Sequence, residues 1–169
     1  KTYTFQQLIE NDPGENLIIT LINNLVHEMQ DDLGDLAEVR TFHSLARKLL
    51  HRNPFGGITS DFHFFPNLYQ IISEDSTILT TIGLIDHEYS VDDLGYAFRV
   101  LDVNNEMIDY FIQRSNYYNA VSFDDSVYRI LSLFRENPES IPRYHNVMID
   151  EFQDFNALEV GVIESLEDN

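Results

Sequence analysis

Two adjacent carboxylates follow a short apolar run near the end of the chain. Residues 147–149 are apolar and lead directly into Asp150 and Glu151, and Phe-Gln-Asp follows at 152–154. A strand with this ending delivers both carboxylates to the carboxyl edge of a sheet, where open α/β folds bind ligands. There the first carboxylate could hold Mg²⁺ through its water shell while the second orients and polarises an attacking water. The same residues could instead form an acidic turn that favours the next helix N-terminus.

The first third of the chain has the pattern of a sheet that could position these carboxylates. Its predicted elements are, in chain order, a helix over 2–10, a strand over 17–21, a helix over 25–33, a strand over 38–42 and a helix over 45–51. Gly34 is suited to a left-handed cap of the second helix, and Ser44 occupies the expected N-cap position of the third. This alternation predicts a parallel sheet covered by helices, because parallel strands need crossover connections.

The rest of the chain divides into an insertion and a return of the same pattern. Residues 54–119 are aromatic, acidic and punctuated by Gly and Pro, with helical patterns around 68–72 and 105–118. The α/β pattern then resumes, with a helix over 125–135, a strand over 146–150 and a helix over 157–166. We therefore predict an α/β core formed by 1–53 and 120–169, interrupted by a mainly helical sub-domain over 54–119.

The charge is strongly acidic and unevenly distributed. Ten Lys and Arg against 29 Asp and Glu give a net charge of −19, which should repel nucleic acid and anionic membranes at long range. Residues 1–60 contribute only −3 of this charge, and Arg40, Arg47, Lys48 and Arg52 lie close together there, so any polyanion site is more to be expected in this part than in the rest of the chain. The absence of cysteine and of a long apolar run fits a cytoplasmic protein without a membrane anchor.

Two further patterns have plainer interpretations. The segment from His27 to Asp31 is similar to a zincin motif, but the second histidine is replaced by Asp31, which argues against a metalloprotease. The aromatic residues of 62–69 and 110–118 could form a stacking platform, although helix packing within the insertion is the favoured interpretation in so acidic a stretch.

Four segments together resemble the UvrD/Rep helicases of superfamily 1, and they occur in the order typical of that family. Asp150–Asp154 is similar to the Walker B motif Asp-Glu-Phe/Tyr-Gln-Asp. Residues 41–46 resemble the Thr-Phe-His-Ser motif that contacts the single-stranded DNA backbone, and 122–125 resemble an Asp-Phe-Asp-Asp stretch. Residues 23–29 resemble the motif Thr-Asn-Lys-Ala-Ala-x-Glu-Met.

The resemblance implies a RecA-like P-loop NTPase fold, a three-layer αβα parallel sheet, with ATP and Mg²⁺ as cofactors. Lys1 and Thr2 would be the last residues of a Gly-x-Gly-Lys-Thr P-loop, with Lys1 on the β- and γ-phosphates. Thr2 and Asp150 would hold Mg²⁺. Glu151 would act as the catalytic base, and Gln153 would link the γ-phosphate to the DNA-bound state.

The implied function is ATP-dependent movement on single-stranded DNA by a helicase, with a role such as DNA repair. Asn23, Thr41, Phe42 and His43 would then contact the single strand. The partners would be single-stranded DNA and the remaining helicase domains. The chain alone is expected to be inactive, since it lacks the P-loop glycines and the arginine fingers of a second lobe, whose loss can reduce the rate by roughly 10³–10⁵.

Two departures from the family pattern leave a second interpretation open. Leu21 stands where the family has an aromatic residue that stacks on a base, and Asn24 stands where it has a lysine. Stacking contributes about 1–3 kcal/mol per base, and a lost phosphate contact lowers the affinity. With a net charge of −19, the chain could be an acidic helicase-like module that does not bind DNA and acts through protein partners.

Overall fold

The computed structural model describes residues 2–101 and 106–167. In this part of the chain the main helices and strands follow in the order α1 (Thr2–Asn11), β1 (Asn16–Thr20), α2 (Asn23–Leu33), β2 (Glu38–Thr41), α3 (Phe42–Arg52), β3 (His63–Phe64), α4 (Leu68–Thr81), α5 (Val91–Arg99), α6 (Glu106–Tyr117), β4 (Ala120–Val121), α7 (Phe123–Glu136), β5 (Asn146–Ile149) and α8 (Ala157–Glu167). Short 3-10 turns precede and follow β5.

Three parallel strands form the main sheet, in the order β2-β1-β5. Ile18 of β1 is paired with Val39 on one side and with Met148 on the other. All five residues of β1 are buried. A central strand covered on both faces has no reason to alternate polar and apolar residues, which explains the continuous apolar run in the sequence. The predicted parallel α/β arrangement is confirmed.

Helices pack against both faces of this sheet. Leu17 and Ile19 point into a large core cluster built with α3, α7 and α8. Ile18 points the other way, into a smaller cluster with Ile9 of α1 and Met29 of α2. Successive residues of a strand face opposite sides, so a single strand anchors helices in both directions. The sheet edges are thereby held in fixed positions relative to the helix ends.

The segment 54–119, for which the sequence predicts a mainly helical sub-domain, is rich in helices, and its standing as a separate sub-domain stays a prediction. It contains α4, α5 and α6, whose rings pack together, with Phe98 and Phe111 edge to face at 5.2 Å. Two features were absent from the sequence prediction: α5, and the parallel pairing of the two-residue strands β3 and β4. Strands this short carry no detectable alternation. The domain boundaries at 53/54 and 119/120 remain predictions.

A buried guanidinium joins the insertion to α7. Arg129 is 1% exposed and lies 3.5 Å from the carboxylate of Asp125, which is fully buried. It also donates hydrogen bonds to the backbone oxygens of Phe55 and Gly56, and to the side chains of Ser115 and Asn116. Every partner other than Asp125 lies in 54–119. This network therefore attaches both ends of the insertion to one helix of the core.

Two predictions about helix ends were wrong. Gly34 is in the right-handed conformation, with φ −62° and ψ −22°, and a Cβ there would clash with the backbone oxygen of Gln30. Close approach, and not a left-handed cap, explains this glycine. The N-cap of α3 is Thr41, whose hydroxyl accepts a hydrogen bond from the Ser44 backbone N–H. The helix therefore begins three residues earlier than predicted.

Candidate functional site

Three strands end at one edge of the main sheet, and the predicted site residues lie just beyond those ends. The register pairs Thr20 at the end of β1 with Thr41 at the end of β2. On the other side, the Asp150 backbone N–H donates to the Ile19 oxygen at 2.9 Å, which continues the β1–β5 ladder by one residue. The residues that follow β1, β2 and β5 therefore meet at a single carboxyl edge, as expected for a parallel sheet.

The turn after β5 holds its two carboxylates in different environments. Asp150 is 4% exposed, whereas Glu151 is half-buried. Glu151 is in the left-handed conformation, with φ 55° and ψ 47°, which is uncommon for a residue other than glycine. The side-chain amide of Gln153 donates to Glu151 Oε2 at 2.6 Å. Such backbone strain is concentrated at functional sites, where it fixes a side chain in one direction.

The far side of this turn is anchored in the core. The Asp154 backbone N–H donates to the Glu151 oxygen at 2.9 Å, which closes a 3-10 turn over 152–154. Phe155 then packs on Phe42 at the start of α3, with 5.5 Å between the ring centroids. Phe152 remains half-exposed. The position of Glu151 and Gln153 is thus tied to the helix that follows β2.

The first helix presents its N-terminus toward the same edge. Its C-terminal end is held at the start of β5, where Asp12 Oδ1 lies 2.7 Å from His145 Nε2 and the Asp12 backbone oxygen accepts from the Asn146 amide at 3.2 Å. Phe5 and Ile9 of α1 also pack in the small core cluster with Met148 of β5, so the helix runs back along the sheet and its other end, which Thr2 opens, lies toward the carboxyl edge. Lys1 lies outside the described residues.

Thr41 and Phe42 are engaged in the fold itself. Thr41 is 8% exposed and its hydroxyl caps α3, while the Ser44 hydroxyl donates to the Thr41 oxygen at 2.9 Å. Phe42 is 1% exposed. A ligand at this edge could therefore reach these two residues through their main chain and not through their side chains.

His43 lies in a small group of rings and one cation, which we call the His43 cluster: His43, Arg47, Phe64 and Phe123. Phe123 packs edge-on against both His43 and Phe64, at 5.1 Å in each case. The Arg47 guanidinium lies 4.0 Å above the Phe64 ring. Burial, with a contribution from the Arg47 charge, lowers the pKa of His43 to about 4. His43 is therefore a neutral hydrogen-bonding group at neutral pH.

The His43 cluster contains a residue that sequence reasoning did not assign to the site. Phe123 is 41% exposed and belongs to the motif at 122–125, whose predicted role was limited to helix charge and family likeness. An exposed aromatic within this motif was the signal that could have identified it. Flat exposed rings of this kind can stack on nucleobases.

The start of α2 lies at the same edge, after β1. Asn23 and Asn24 are exposed, and Leu21 is half-buried against the large core cluster. Ile22 occupies the N-cap position and has no side-chain oxygen to accept from the first turn. The Leu25 N–H donates to the Ile22 backbone oxygen at 3.1 Å, which leaves the N–H groups of Asn23 and Asn24 to donate to an anion or to water.

The donor set at this edge suits a hard divalent cation that is shared with a bound ligand. Asp150 supplies one buried carboxylate and Thr2 one hydroxyl, both of them oxygen donors. Mg²⁺ is usually bound by one or two carboxylates, with waters and phosphate oxygens completing its shell. Among the described residues, no group of three or more metal-ligating side chains occurs, so a self-contained metal cage is not part of this arrangement.

None of the helices in the described ranges is both long enough and apolar enough to cross a membrane.

No curated protein matches the chain. A protein-family model does match part of it: the model of the UvrD/REP helicase N-terminal domain matches residues 101–169. The matched range contains Asp150–Asp154 and Phe123, whereas Thr2, Asn23 and Thr41 lie outside it. The resemblance of the chain to the N-terminal region of UvrD/Rep-type helicases is therefore confirmed.

Proposed function

We propose that the chain is the ATP-binding lobe of an ATP-dependent DNA helicase or translocase of the UvrD/Rep type, with a RecA-like three-layer core. The arrangement of Asp150, Glu151 and Gln153 at the end of β5 carries this proposal. It lies within the range matched by the helicase family and combines a buried carboxylate, a strained neighbour and a hydrogen-bonded amide. Nucleotide hydrolysis needs a carboxylate that holds Mg²⁺ and a neighbouring group that orients the attacking water, and these residues can supply both.

Each residue at this edge has a role in the proposal. Asp150 and Thr2 hold Mg²⁺, while Lys1 and the N-terminus of α1 receive the phosphates of ATP. Bound Mg²⁺ would neutralise charge that develops on the phosphate oxygens. Glu151 orients the attacking water and accepts its proton. Its backbone is left-handed and the residue is half-exposed, whereas Asp150 is buried.

Gln153 is proposed as the link between hydrolysis and movement on DNA. Its amide is hydrogen-bonded to Glu151, and the same turn continues to Phe155, which packs on Phe42. Phe42 lies between Thr41 and His43, two of the residues proposed to contact single-stranded DNA along with Asn23. A change in the Glu151–Gln153 contact would therefore be transmitted to the DNA-binding segment through one pair of packed rings.

Replacement of Glu151 by Gln in the full-length protein tests the role of this residue. We expect DNA-stimulated ATP hydrolysis to be abolished while ATP binding is retained, because the amide cannot accept a proton from water. Glu164→Gln is the matched control, since Glu164 is exposed on α8 and its side chain forms no ion pair or hydrogen bond with the described residues. Normal turnover of the Glu151 variant would overturn the assigned role.

The acidic-module alternative remains a second candidate, because specific residues favour it. Leu21 is half-buried where a stacking aromatic is expected, and Asn24 is exposed where a lysine is expected. Titration of the full-length protein with single-stranded DNA at low and high salt separates the two candidates. A translocase must bind at low salt with an affinity that falls as salt rises, whereas absence of binding would favour action through protein partners.

A further inference from the structure

Helix α4 carries a row of exposed aliphatic side chains. Ile71, Ile78 and Ile82 are 37%, 59% and 61% exposed, and Leu84, just beyond the helix end, is 69% exposed. We call these four residues the α4 patch. The three isoleucines are spaced by close to two and three full helical turns, so they share one face. Apolar side chains that are exposed singly are normal on a protein surface, whereas a group of neighbouring ones marks a contact surface.

Hydrogen bonds at the end of α4 hold the α4 patch in a defined position. Gly83 follows the helix C-cap in the left-handed conformation, with φ 72°. The Leu84 N–H donates to the Leu79 oxygen at 2.9 Å, which closes the helix end. The chain then runs back along α4, where the Tyr89 N–H donates to the Ser76 hydroxyl at 2.9 Å. The exposed end of the patch therefore belongs to a hydrogen-bonded turn.

The charged side chains that border the α4 patch are acidic. Glu74 lies on the same helical face, one turn before Ile78. The Thr77 hydroxyl lies 3.5 Å from the carboxylate of Glu88, and Asp86 follows the exposed end of the patch. These three carboxylates are exposed, and none of them forms an ion pair within the described part of the chain. The border therefore holds three negative charges that are not balanced by a bound cation.

Cations are scarce in this region. The sequence has seven Asp and Glu residues and no Lys or Arg over 53–98. The guanidinium of Arg114 lies next to α4, but it binds one carboxylate oxygen of Asp75 through two hydrogen bonds, of 2.7 and 2.9 Å. The two charges of this pair cancel. His87 could add one positive charge and would still leave the border acidic, since three carboxylates remain unpaired.

We propose that the α4 patch binds a helix of a partner protein that has an apolar face flanked by Lys and Arg. Side chains four residues apart form the ridge that packs into the grooves of a second helix, and Ile78 and Ile82 have this spacing. The flanking cations would pair with the carboxylates of the border, and this complementarity selects the partner. A second copy of the chain would instead bring two acidic borders together, and a nucleic acid would bring phosphates against them.

Binding of labelled helical peptides to the full chain tests this proposal. The first peptide has Leu along one helical face with Lys on both flanks, and the second has Glu in place of Lys. The third has the composition of the first in an order that gives no apolar face. We expect the first to bind most tightly, with an affinity that falls as salt rises. Comparable affinity for the second or the third peptide would overturn the proposal, as would failure of the first to bind.

Substitutions within the α4 patch locate the binding site. Ile78→Ser with Ile82→Ser should weaken binding of the first peptide by roughly tenfold or more, because the apolar area that binding buries is lost. Leu8→Ser is the control, since Leu8 is 54% exposed on α1. Unchanged affinity in the double variant would overturn the proposal. A monomer–dimer equilibrium in sedimentation that the double variant abolishes would also overturn it, because the patch would then join two copies of the chain.

Removal of charge from the border separates its effect from that of the net charge. Glu74→Gln with Glu88→Gln should weaken binding of the first peptide by roughly threefold at low salt. Glu139→Gln with Glu164→Gln removes the same charge from exposed positions outside α4 and should leave the affinity almost unchanged. Equal losses in the two double variants would show that only the net charge attracts the peptide and would overturn the proposal.

Discussion

Arg129 shows how a single buried charge can join two parts of the molecule. Its guanidinium is 1% exposed, and its partners are Asp125 and polar groups of the insertion, including the backbone oxygens of Phe55 and Gly56. Burial raises the pKa of Asp125 and the nearby Arg129 charge opposes that shift. The pair is therefore costly to bury and more costly to break.

Removal of one partner leaves the other charge unpaired in the core. We expect Arg129→Ala to lower the free energy of unfolding by about 3–5 kcal/mol, measured by urea titration. Arg135→Ala is the control, because Arg135 is exposed on the same helix and should change the free energy by less than about 0.5 kcal/mol. Similar values for the two variants would mean that the Arg129 network contributes little to stability.

His43 gives the molecule a defined pH response. Its pKa is lowered from 6.5 to about 4, mainly by burial. Below pH 6.5 the unfolded chain therefore binds a proton that the folded chain does not, and stability falls as the pH drops from 6.5 to about 4. The full loss corresponds to about 3 kcal/mol. No loss from this group is expected above pH 6.5.

Comparison with His43→Gln isolates this contribution from that of the other titrating groups. The difference in unfolding free energy between the original chain and the variant should stay constant above pH 6.5. Below pH 6.5 the original chain should lose stability relative to the variant. NMR titration of the imidazole gives the pKa directly. A midpoint near 6.5 would contradict the assigned burial.

At the scale of the element, the start of α3 is fixed by one hydroxyl. Thr41 Oγ1 accepts the Ser44 N–H, and the Ser44 hydroxyl returns a hydrogen bond to the Thr41 oxygen. Loss of an N-cap side chain costs about 0.5–2 kcal/mol. We expect Thr41→Ala to lower the free energy of unfolding by about 1 kcal/mol, and Ser44→Ala to have a smaller effect. A larger loss of stability in Ser44→Ala than in Thr41→Ala would indicate that Ser44 is the N-cap.

The elements themselves were largely predictable, because their apolar spacing is local information. The strand before Asp150 and the helix over Ala157–Glu167 were expected within a residue or two of their observed bounds. The sequence did not reveal which hydroxyl caps α3, since Thr41 and Ser44 are both suitable cap residues and only the path of the chain selects one. Pairing of β3 with β4 depends on contacts across more than fifty residues and has no local signal.

The same limit applies to the candidate site. Asp150, Glu151 and Gln153 could be named from sequence because they are neighbours in a recognisable motif. The motif at 122–125 contains Phe123, but its place beside His43 could not be predicted, because that depends on the packing of α7 on α3, two helices far apart in the chain. The left-handed backbone of Glu151 was equally hidden, since no residue type in that position demands it.

At the scale of the whole molecule, the net charge is large and the few basic residues are unevenly distributed. The sequence favoured the region of Arg40, Arg47, Lys48 and Arg52 for any polyanion site. Three of these residues do line one groove, together with Glu15, Asp35 and Glu38. Arg47 instead lies over the Phe64 ring. Arg143 joins the groove from a distant part of the chain, which no local pattern could indicate. Most of the remaining surface is left acidic, with few cations to balance it.

Such an excess of like charge should destabilise the compact state through self-repulsion that salt can screen. We therefore expect the free energy of unfolding to rise between low and moderate NaCl concentrations. Asp86 and Glu139 are exposed and form no ion pair within the described part of the chain, so Asp86→Lys with Glu139→Lys should raise stability at low salt and flatten its dependence on salt. Asp86→Glu with Glu139→Asp preserves the charge and should behave as the original chain. Equal salt dependence in the two double variants would show that specific ion pairs such as Arg114–Asp75, and not the net charge, govern the response.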